Sequence, residues 1–402
     1  MGQLIDVSSI ALGDIAFFDA DRSLTGQDGY SFTGHTESEA PPATLANRLF
    51  AADPDIAHVH VLSNTVSVQR SGGWTDDRLK SAATILQHLF VFYDPDVDPY
   101  EALRKENYNA TLTSIRVHNE DLWVMKVKPD QPIDPFRAGQ YTTLALGYWE
   151  PRADEADEVF DANQKEKLAR RSYSVSSSII DLEAGDLVPG HPSEIEFYIV
   201  KVRPGQEEIP ALTPRIFLKG VGDRIFMGRK FTGRYTLDGV TEDDNIVFLS
   251  TGTGEAPQNK MTNELLRNGH KGSILNLVCV RYNQDLAYLA EQEAIQENYE
   301  NYRYEVLTTR EPGDLEHKRY LQDLIRDGDV EEMLGADLDP ETTHVFLCGN
   351  PAMIGLPKWD GDTPSFPTPT GVCELLHDRG FTIDHLKTRG NVHYEEYWTE
   401  RD

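Results

Sequence analysis

Cysteine is nearly missing from this chain. Only Cys279, Cys348 and Cys373 occur, and no two are spaced as a CxxC or CxxxxCxxC cluster. That spacing excludes a disulfide framework and an iron–sulfur cluster held by this chain's own thiolates. No run of about 18 apolar residues is present, so no membrane-spanning helix is expected. The opening MGQLIDVSSIALGDIAFFDADR lacks the basic start and apolar block of a signal peptide. It also carries Asp6 where a myristoylation signal has Ser or Thr. The expectation is a cytoplasmic protein with no membrane partner. Positive charge is scarce as well: 38 Lys and Arg stand against 67 Asp and Glu, a formal net charge of −29. Such a surface repels nucleic acid, so no nucleic-acid partner is expected.

What remains is a chain of 402 residues, 39% of them hydrophobic, long enough for two or three domains. Residues 1–42 read as irregular, with scattered Gly, Ser and Asp and the Ala-Pro-Pro of 40–42. Residues 43–93 read as a small α/β unit: a helix in ATLANRLFAAD, two strands in HVHVLSNTVSVQR, and a helix in DDRLKSAATILQHLFVFY. The acidic DPDVDPY is a linker. From Tyr108 to about residue 238 short strands recur at the spacing of a small antiparallel barrel, interrupted by the acidic insert 151–168. Beyond it strands and helices alternate, the pattern of a parallel α/β sheet. The chain thus divides into an α+β module with its linker (1–100), an antiparallel β-barrel (101–240) and an α/β domain (241–402).

Three stretches carry chemistry. RRSYSVSSS (170–178) alternates like a strand, yet neither face offers apolar side chains to a core. STGTGEAPQ (250–258) follows an apolar strand and opens a helix. Gly252 and Gly254 allow a tight turn beside a helix N-terminus that favours negative charge, although an ordinary glycine turn has the same letters. CGNP (348–351) ends a later strand, and in an open parallel sheet ligands sit at such ends. Cys348 there is either a small buried hydrophobe or a reactive group. Arg281 and Arg310 terminate two further strands, with Lys318 and Arg319 following. Convergence of these cations suits a ribose 2′-phosphate; scattered surface arginines are the alternative.

In this order the motifs resemble the ferredoxin–NADP⁺ reductase family, closest to its bacterial members, over roughly residues 108–398. The carriers are FRAGQYTTL, RRSYSVSSS, EFYIVKV, LTPRIFLKGVGDRI, GRYTLD, TGTGEAP, VRYNQDLAY, TTRE with KRY, LCGNPAMI and YEEYW. The resemblance implies that FAD covers the serine-rich strand and that NADP(H) binds the α/β domain. Arg171 would pair with the flavin pyrophosphate, Tyr173 lie against the ring, and Ser172 belong to the same strand. Ser174 would sit where hydride arrives. Tyr198 and Val200 would hold the adenine side, and Thr213 would offer its hydroxyl to phosphate. Thr253 would face both cofactors. Gly252, Gly254, Gly349, Asn350 and Pro351 would line the nucleotide, and Arg281, Arg310 and Arg319 would hold its 2′-phosphate. Tyr397 and Trp398 would close the other flavin face. Ser174, Cys348, Glu395 and Tyr397 would be the catalytic set, with Glu396 a rival for proton transfer. Departures are Glu255 and Gln258, where many members have an apolar residue and Phe, and the four residues after Trp398.

The implied activity is electron exchange between NADPH and a one-electron carrier, ferredoxin or flavodoxin. Such carriers are acidic, so docking on this acidic chain calls for a local basic face, drawn from Arg104, Lys105, Lys165, Lys167 and Arg170. A reductase for another acceptor stays open. Residues 43–93 more faintly resemble the N-terminal domain of NifU-like iron–sulfur scaffold proteins. That likeness implies an interaction module and an iron–sulfur assembly partner, or an adaptor role for the whole chain.

Overall fold

The computed structural model describes residues 5–38, 40–89, 98, 100–153, 164–203, 209–313, 317–361, 363–386 and 388–397. The chain forms two compact units, residues 1–101 and 102–402.

The first unit is built on strands β1 (Val7–Leu12), β2 (Ile15–Ala20), β3 (Gly29–Phe32), β4 (Ile56–Leu62) and β5 (Thr65–Arg70), in the order β1-β2-β5-β4-β3. Every pair is antiparallel. Alternate side chains point to one face, where Ala16, Phe18, Val59, Val61, Val66 and Val68 are buried. Leu45 and Leu49 of helix Pro41–Ala52 and Ala82 and Leu86 of helix Asp76–Gln87 share that core. Thr75 starts the second helix by accepting from the Arg78 amide at 3.4 Å. Arg70 fixes the strand end through Asp53 and Asp55, each at 2.8 Å. Residues 1–42 are therefore not irregular: three of the five strands lie there. Their apolar residues are few, but Ala16, Phe18 and Ala20 alternate with outward polar groups. Cross-strand hydrogen bonds then do what local propensity does not.

The second unit opens with a six-stranded antiparallel, barrel-like sheet: β6 (Ala110–Asn119), β7 (Leu122–Pro129), β8 (Tyr141–Gly147), β9 (Leu168–Ser174), β10 (Ile195–Val200) and β11 (Arg224–Met227). Its order is β10-β7-β6-β11-β8-β9. A parallel sheet follows, of β12 (Asn245–Thr251), β13 (Ile274–Val280), β14 (Tyr302–Thr308), β15 (Thr343–Gly349) and, after a short hairpin of β16 (Lys358–Asp360) and β17 (Thr363–Ser365), β18 (Val392–Glu396). The order is β14-β13-β12-β15-β18. Strands β12 and β13 are nearly continuous apolar runs because both faces are covered. Val247, Leu249, Val345 and Leu347 enter one core with Leu321, Leu324 and Leu376. The alternate Ile246, Phe248, Phe346 and Cys348 enter the other, with Tyr235, Met261 and Leu265. The antiparallel-then-parallel layout expected from the sequence is the one observed. The terminal VHYEE, read only as part of an aromatic tail, is the edge strand of the parallel sheet.

Candidate functional site

Strands β12 and β15 are neighbours, and their carboxyl ends are pressed together. A Cβ on Gly254 would lie 2.4 Å from the Cys348 carbonyl oxygen. Gly349, at φ +119°, would place one 2.2 Å from Thr251 Oγ1. Only glycine fits either position. The Asn350 amide donates to Thr251 Oγ1 at 2.8 Å, and Asn350 Oδ1 accepts from the Ala352 amide at 2.9 Å, capping the turn that begins at Pro351. Gly252 has open space around it, and Thr253 is buried at the start of helix Glu255–Arg267.

Four of the expected catalytic residues meet at this end of the sheet. Ser174, the last residue of β9, donates to Glu395 Oε2 at 2.8 Å. Glu395 is paired in register with Cys348 across β18 and β15. The Tyr397 phenol is hydrogen-bonded to Ser174 and Cys348, while its amide donates to the Gly349 carbonyl at 3.1 Å. Burial pushes the Glu395 carboxyl up to about 7, against the lowering effect of its Ser174 bond. Burial also raises Cys348, helped by the Glu395 charge, so this thiol is held protonated. Glu396 is raised by burial alone. Trp398 lies outside the described residues.

On β9, Tyr173 meets Phe197 edge-on, with ring centroids 6.4 Å apart. Arg171 is exposed, and among the described residues its guanidinium donates only to the Arg170 carbonyl, at 2.8 Å. A guanidinium with no carboxylate partner among the described residues suits a phosphate. Arg281 and Arg310 are likewise exposed with no acidic partner among the described residues. They stand side by side, since the Arg310 amide donates to the Arg281 carbonyl at 2.9 Å. Lys318 lies 5.1 Å from the Tyr320 ring.

Other expected residues are placed differently. Arg319 is engaged by Asp327 at 2.8 Å and by Asp329, which leaves it neutralised rather than waiting for a phosphate. Tyr198 is buried: its hydroxyl donates to the Asp285 carbonyl at 3.0 Å and its ring meets Tyr288 edge-on at 5.2 Å. With Val200 beside it, it belongs to a core cluster joining the barrel to helix Glu255–Arg267, not to an open adenine site. Thr213 Oγ1 accepts from the Val202 amide at 3.1 Å, and Arg215 of the same LTPR motif is buried on backbone carbonyls. Of the cations assigned to a basic face, Arg104 is bound to Glu150 at 2.7 Å. Lys105, Lys165, Lys167 and Arg170 remain exposed. Most of the acidic insert lies outside the described residues.

The two departures in TGTGEAPQ have buried partners that sequence reasoning missed. Gln258 Nε2 donates to the Tyr235 hydroxyl at 3.0 Å and to the Phe346 carbonyl at 3.2 Å. Glu255 accepts from Gln292 at 2.8 Å, and burial pushes its carboxyl up to about 7 despite that bond. Tyr288 bridges Ser176 and Glu196, at 2.9 Å each. Gln258, Lys260 and Asn263 of helix Glu255–Arg267, together with Tyr288, thus carry the barrel–sheet contact on polar groups. No local pattern announces this, because the partners lie far away in the chain.

A model of the oxidoreductase NAD-binding domain family matches residues 248–357. The chain is 26% identical over 291 residues to a flavodoxin/ferredoxin–NADP reductase of Buchnera aphidicola, covering 72% of this chain and 98% of that one. It is 29% identical over 253 residues to the corresponding Escherichia coli protein, covering 62% and 83%. A solved ferredoxin–NADP⁺ reductase from Neisseria gonorrhoeae, with bound FAD and NADP, has the same fold over 72% of this chain and 98% of its own, at 18% identity and a TM-score of 0.53.

Proposed function

We propose that this member of the ferredoxin–NADP⁺ reductase family is a flavin-dependent oxidoreductase that exchanges electrons between NADPH and a one-electron carrier, ferredoxin or flavodoxin. The reading is supported above all by the bond between Ser174 and Glu395, which joins the barrel to the parallel sheet at the ends of β9 and β18. Arginines without an acidic partner among the described residues stand on the barrel strand and on the strand ends beyond. The residues present fit FAD. Arg171 would hold the pyrophosphate, Tyr173 and Tyr397 would flank the ring, and Ser174 would face its reactive edge. When bound, FAD takes two electrons from the nicotinamide and releases them singly.

The chain's own groups supply orientation and a proton. Gly254 and Gly349 let backbone close on the nicotinamide end of NADPH. Arg281 and Arg310 take its 2′-phosphate. Glu395 holds or releases a proton at Ser174 Oγ, close to neutral pH. Exposed Lys165, Lys167 and Arg170 give an acidic carrier somewhere to dock. A cytoplasmic location suits this chemistry; among the described residues no helix is long and apolar enough to cross a membrane. For residues 1–101, which have their own core and no cysteine, we infer an interaction module that receives an iron–sulfur assembly partner without holding a cluster through thiolates.

The test is spectroscopic. Purified protein should be yellow and should bleach on anaerobic addition of NADPH, then pass electrons to ferredoxin or flavodoxin. A colourless protein that takes up no FAD ends the enzyme reading. Arg281→Ala should weaken NADPH by about tenfold or more, the worth of a charged hydrogen bond, and barely affect NADH. Equal losses for both nucleotides would remove the 2′-phosphate assignment.

A further inference from the structure

We propose a second anion site in the reductase unit, at a crevice separate from Ser174 and from the 281–310 strand ends. A cavity of about 380 Å³ lies between the loop that follows β11 and the segment leading into β18. Its walls carry Arg137, Gln140, Arg234, Thr236, Asp238 and Arg389. Three guanidinium groups therefore face one carboxylate, in a chain whose formal charge is −29.

The three arginines are not equivalent. Arg137 is paired with Asp238. Arg389 is fixed as the floor: it donates to the Arg234 carbonyl at 2.7 Å, to the Asp238 carbonyl at 3.1 Å and to the Thr236 carbonyl. Asp384 accepts from it at 2.6 Å and is itself held by His393 at 2.9 Å. The loop thus wraps its carbonyl groups around Arg389 and sends the Arg234 side chain outward. Among the described residues Arg234 is exposed and has neither a hydrogen-bond nor an ion-pair partner. Arg389 and Asp384 cancel, as do Arg137 and Asp238, so among the described residues Arg234 leaves the crevice with one uncompensated positive charge.

The volume is far more than one water needs, about 10–15 Å³. It lies in the range of small-molecule pockets, roughly 300–1,000 Å³. A small solute bearing an oxyanion, a carboxylate or a phosphate group, matches both the size and the planar donor fork of Arg234. This site does not depend on the reductase reading, because none of its residues belongs to the dinucleotide or flavin set.

Titration calorimetry of the flavin-loaded protein at fixed ionic strength, with inorganic phosphate and citrate as probes, tests the proposal. Wild-type protein should bind at least one probe. Arg234→Gln should weaken that binding about tenfold or more, the worth of one charged hydrogen bond, in an otherwise wild-type protein and in an Arg281→Ala background alike. Among the described residues the Arg234 side chain has no hydrogen-bond or ion-pair partner to lose, so the variant should fold, and its flavin spectrum and bleaching by NADPH should match wild type. Absence of binding to both probes, wild-type affinity in Arg234→Gln, or loss of all binding in Arg281→Ala alone would each overturn it. Bleaching by NADPH is read separately on the same samples, so failure of this site and failure of the reductase reading are distinguishable.

Discussion

Two glutamates of the second unit, Glu150 buried and Glu395 partly buried, lie in opposite surroundings. Glu150, at the end of the segment after β8, accepts from Arg104 at 2.7 Å, Tyr108 at 2.8 Å and Lys219 at 2.7 Å. Burial alone would raise its pKa, but the hydrogen bonds from Arg104 and Lys219 outweigh that and hold it at about 2. Glu395 has one neutral donor, Ser174, and burial wins, placing it at about 7. One carboxyl is a permanent charge that ties helix Glu101–Asn107 and the LTPR region to the barrel. The other can change its proton near neutral pH at the place where two domains' motifs meet. Burial is common to both; the count of cations in contact decides which becomes a brace and which becomes a reactive group.

The largest effect should come from removing the brace. Glu150→Ala leaves Arg104 and Lys219 beside an empty, partly buried site and should cost about 3–5 kcal/mol in urea unfolding. Glu395→Ala breaks one bond to a neutral hydroxyl and should cost far less, about 1 kcal/mol. Equal losses would show that burial, and not the surrounding cations, sets the role.

The pH dependence separates the pair next. A depressed carboxyl stabilises the fold above its ordinary value of 4.5, and that contribution is lost as pH falls through about 2. Glu395 has the opposite sign. Its folded state prefers the proton, so its contribution is complete below 4.5 and is lost as pH rises through about 7. Glu395→Gln should therefore flatten stability between these limits, and should also erase any step near pH 7 in the rate of carrier reduction. A step that persists in Glu395→Gln would assign the proton elsewhere, with Glu396 the first alternative.

Much of this arrangement could be read from the chain. The apolar runs of β12 and β13 announce a sheet covered on both faces, and the glycines at 254 and 349 announce strand ends in close approach. RRSYSVSSS stood out because a strand without apolar side chains needs something else to cover it. Residues 1–42 were misread because their strands alternate only weakly and depend on cross-strand neighbours. Arg319 and Arg104 looked like free cations because an ion pair forms across a distance that local spacing does not encode: Arg104 and Glu150 are 46 residues apart. Gln292, Tyr288 and the partners of Gln258 were missed for the same reason. A buried polar side chain becomes legible only when its partner is known.

A third carboxyl gives the finest test. Glu196 in β10 is buried and its pKa is raised by that burial, with Tyr288 lowering it at 2.9 Å and Ser178 at 3.1 Å. Its nearest cation, Lys126, is 3.8 Å away and half exposed. If contacting cations decide the outcome, Glu196 sides with Glu395, although it lies far from β18 in sequence and has no expected role in catalysis. Glu196→Gln keeps the shape: its carbonyl oxygen accepts from the Tyr288 hydroxyl and its amide nitrogen donates to the Ser178 hydroxyl, so it should change stability by only about 0–1 kcal/mol at pH 7 and leave NADPH-driven reduction intact. A loss as large as that of Glu150→Ala would mean that Lys126 matters more than its distance allows, and the contrast between the two kinds of buried glutamate would no longer stand.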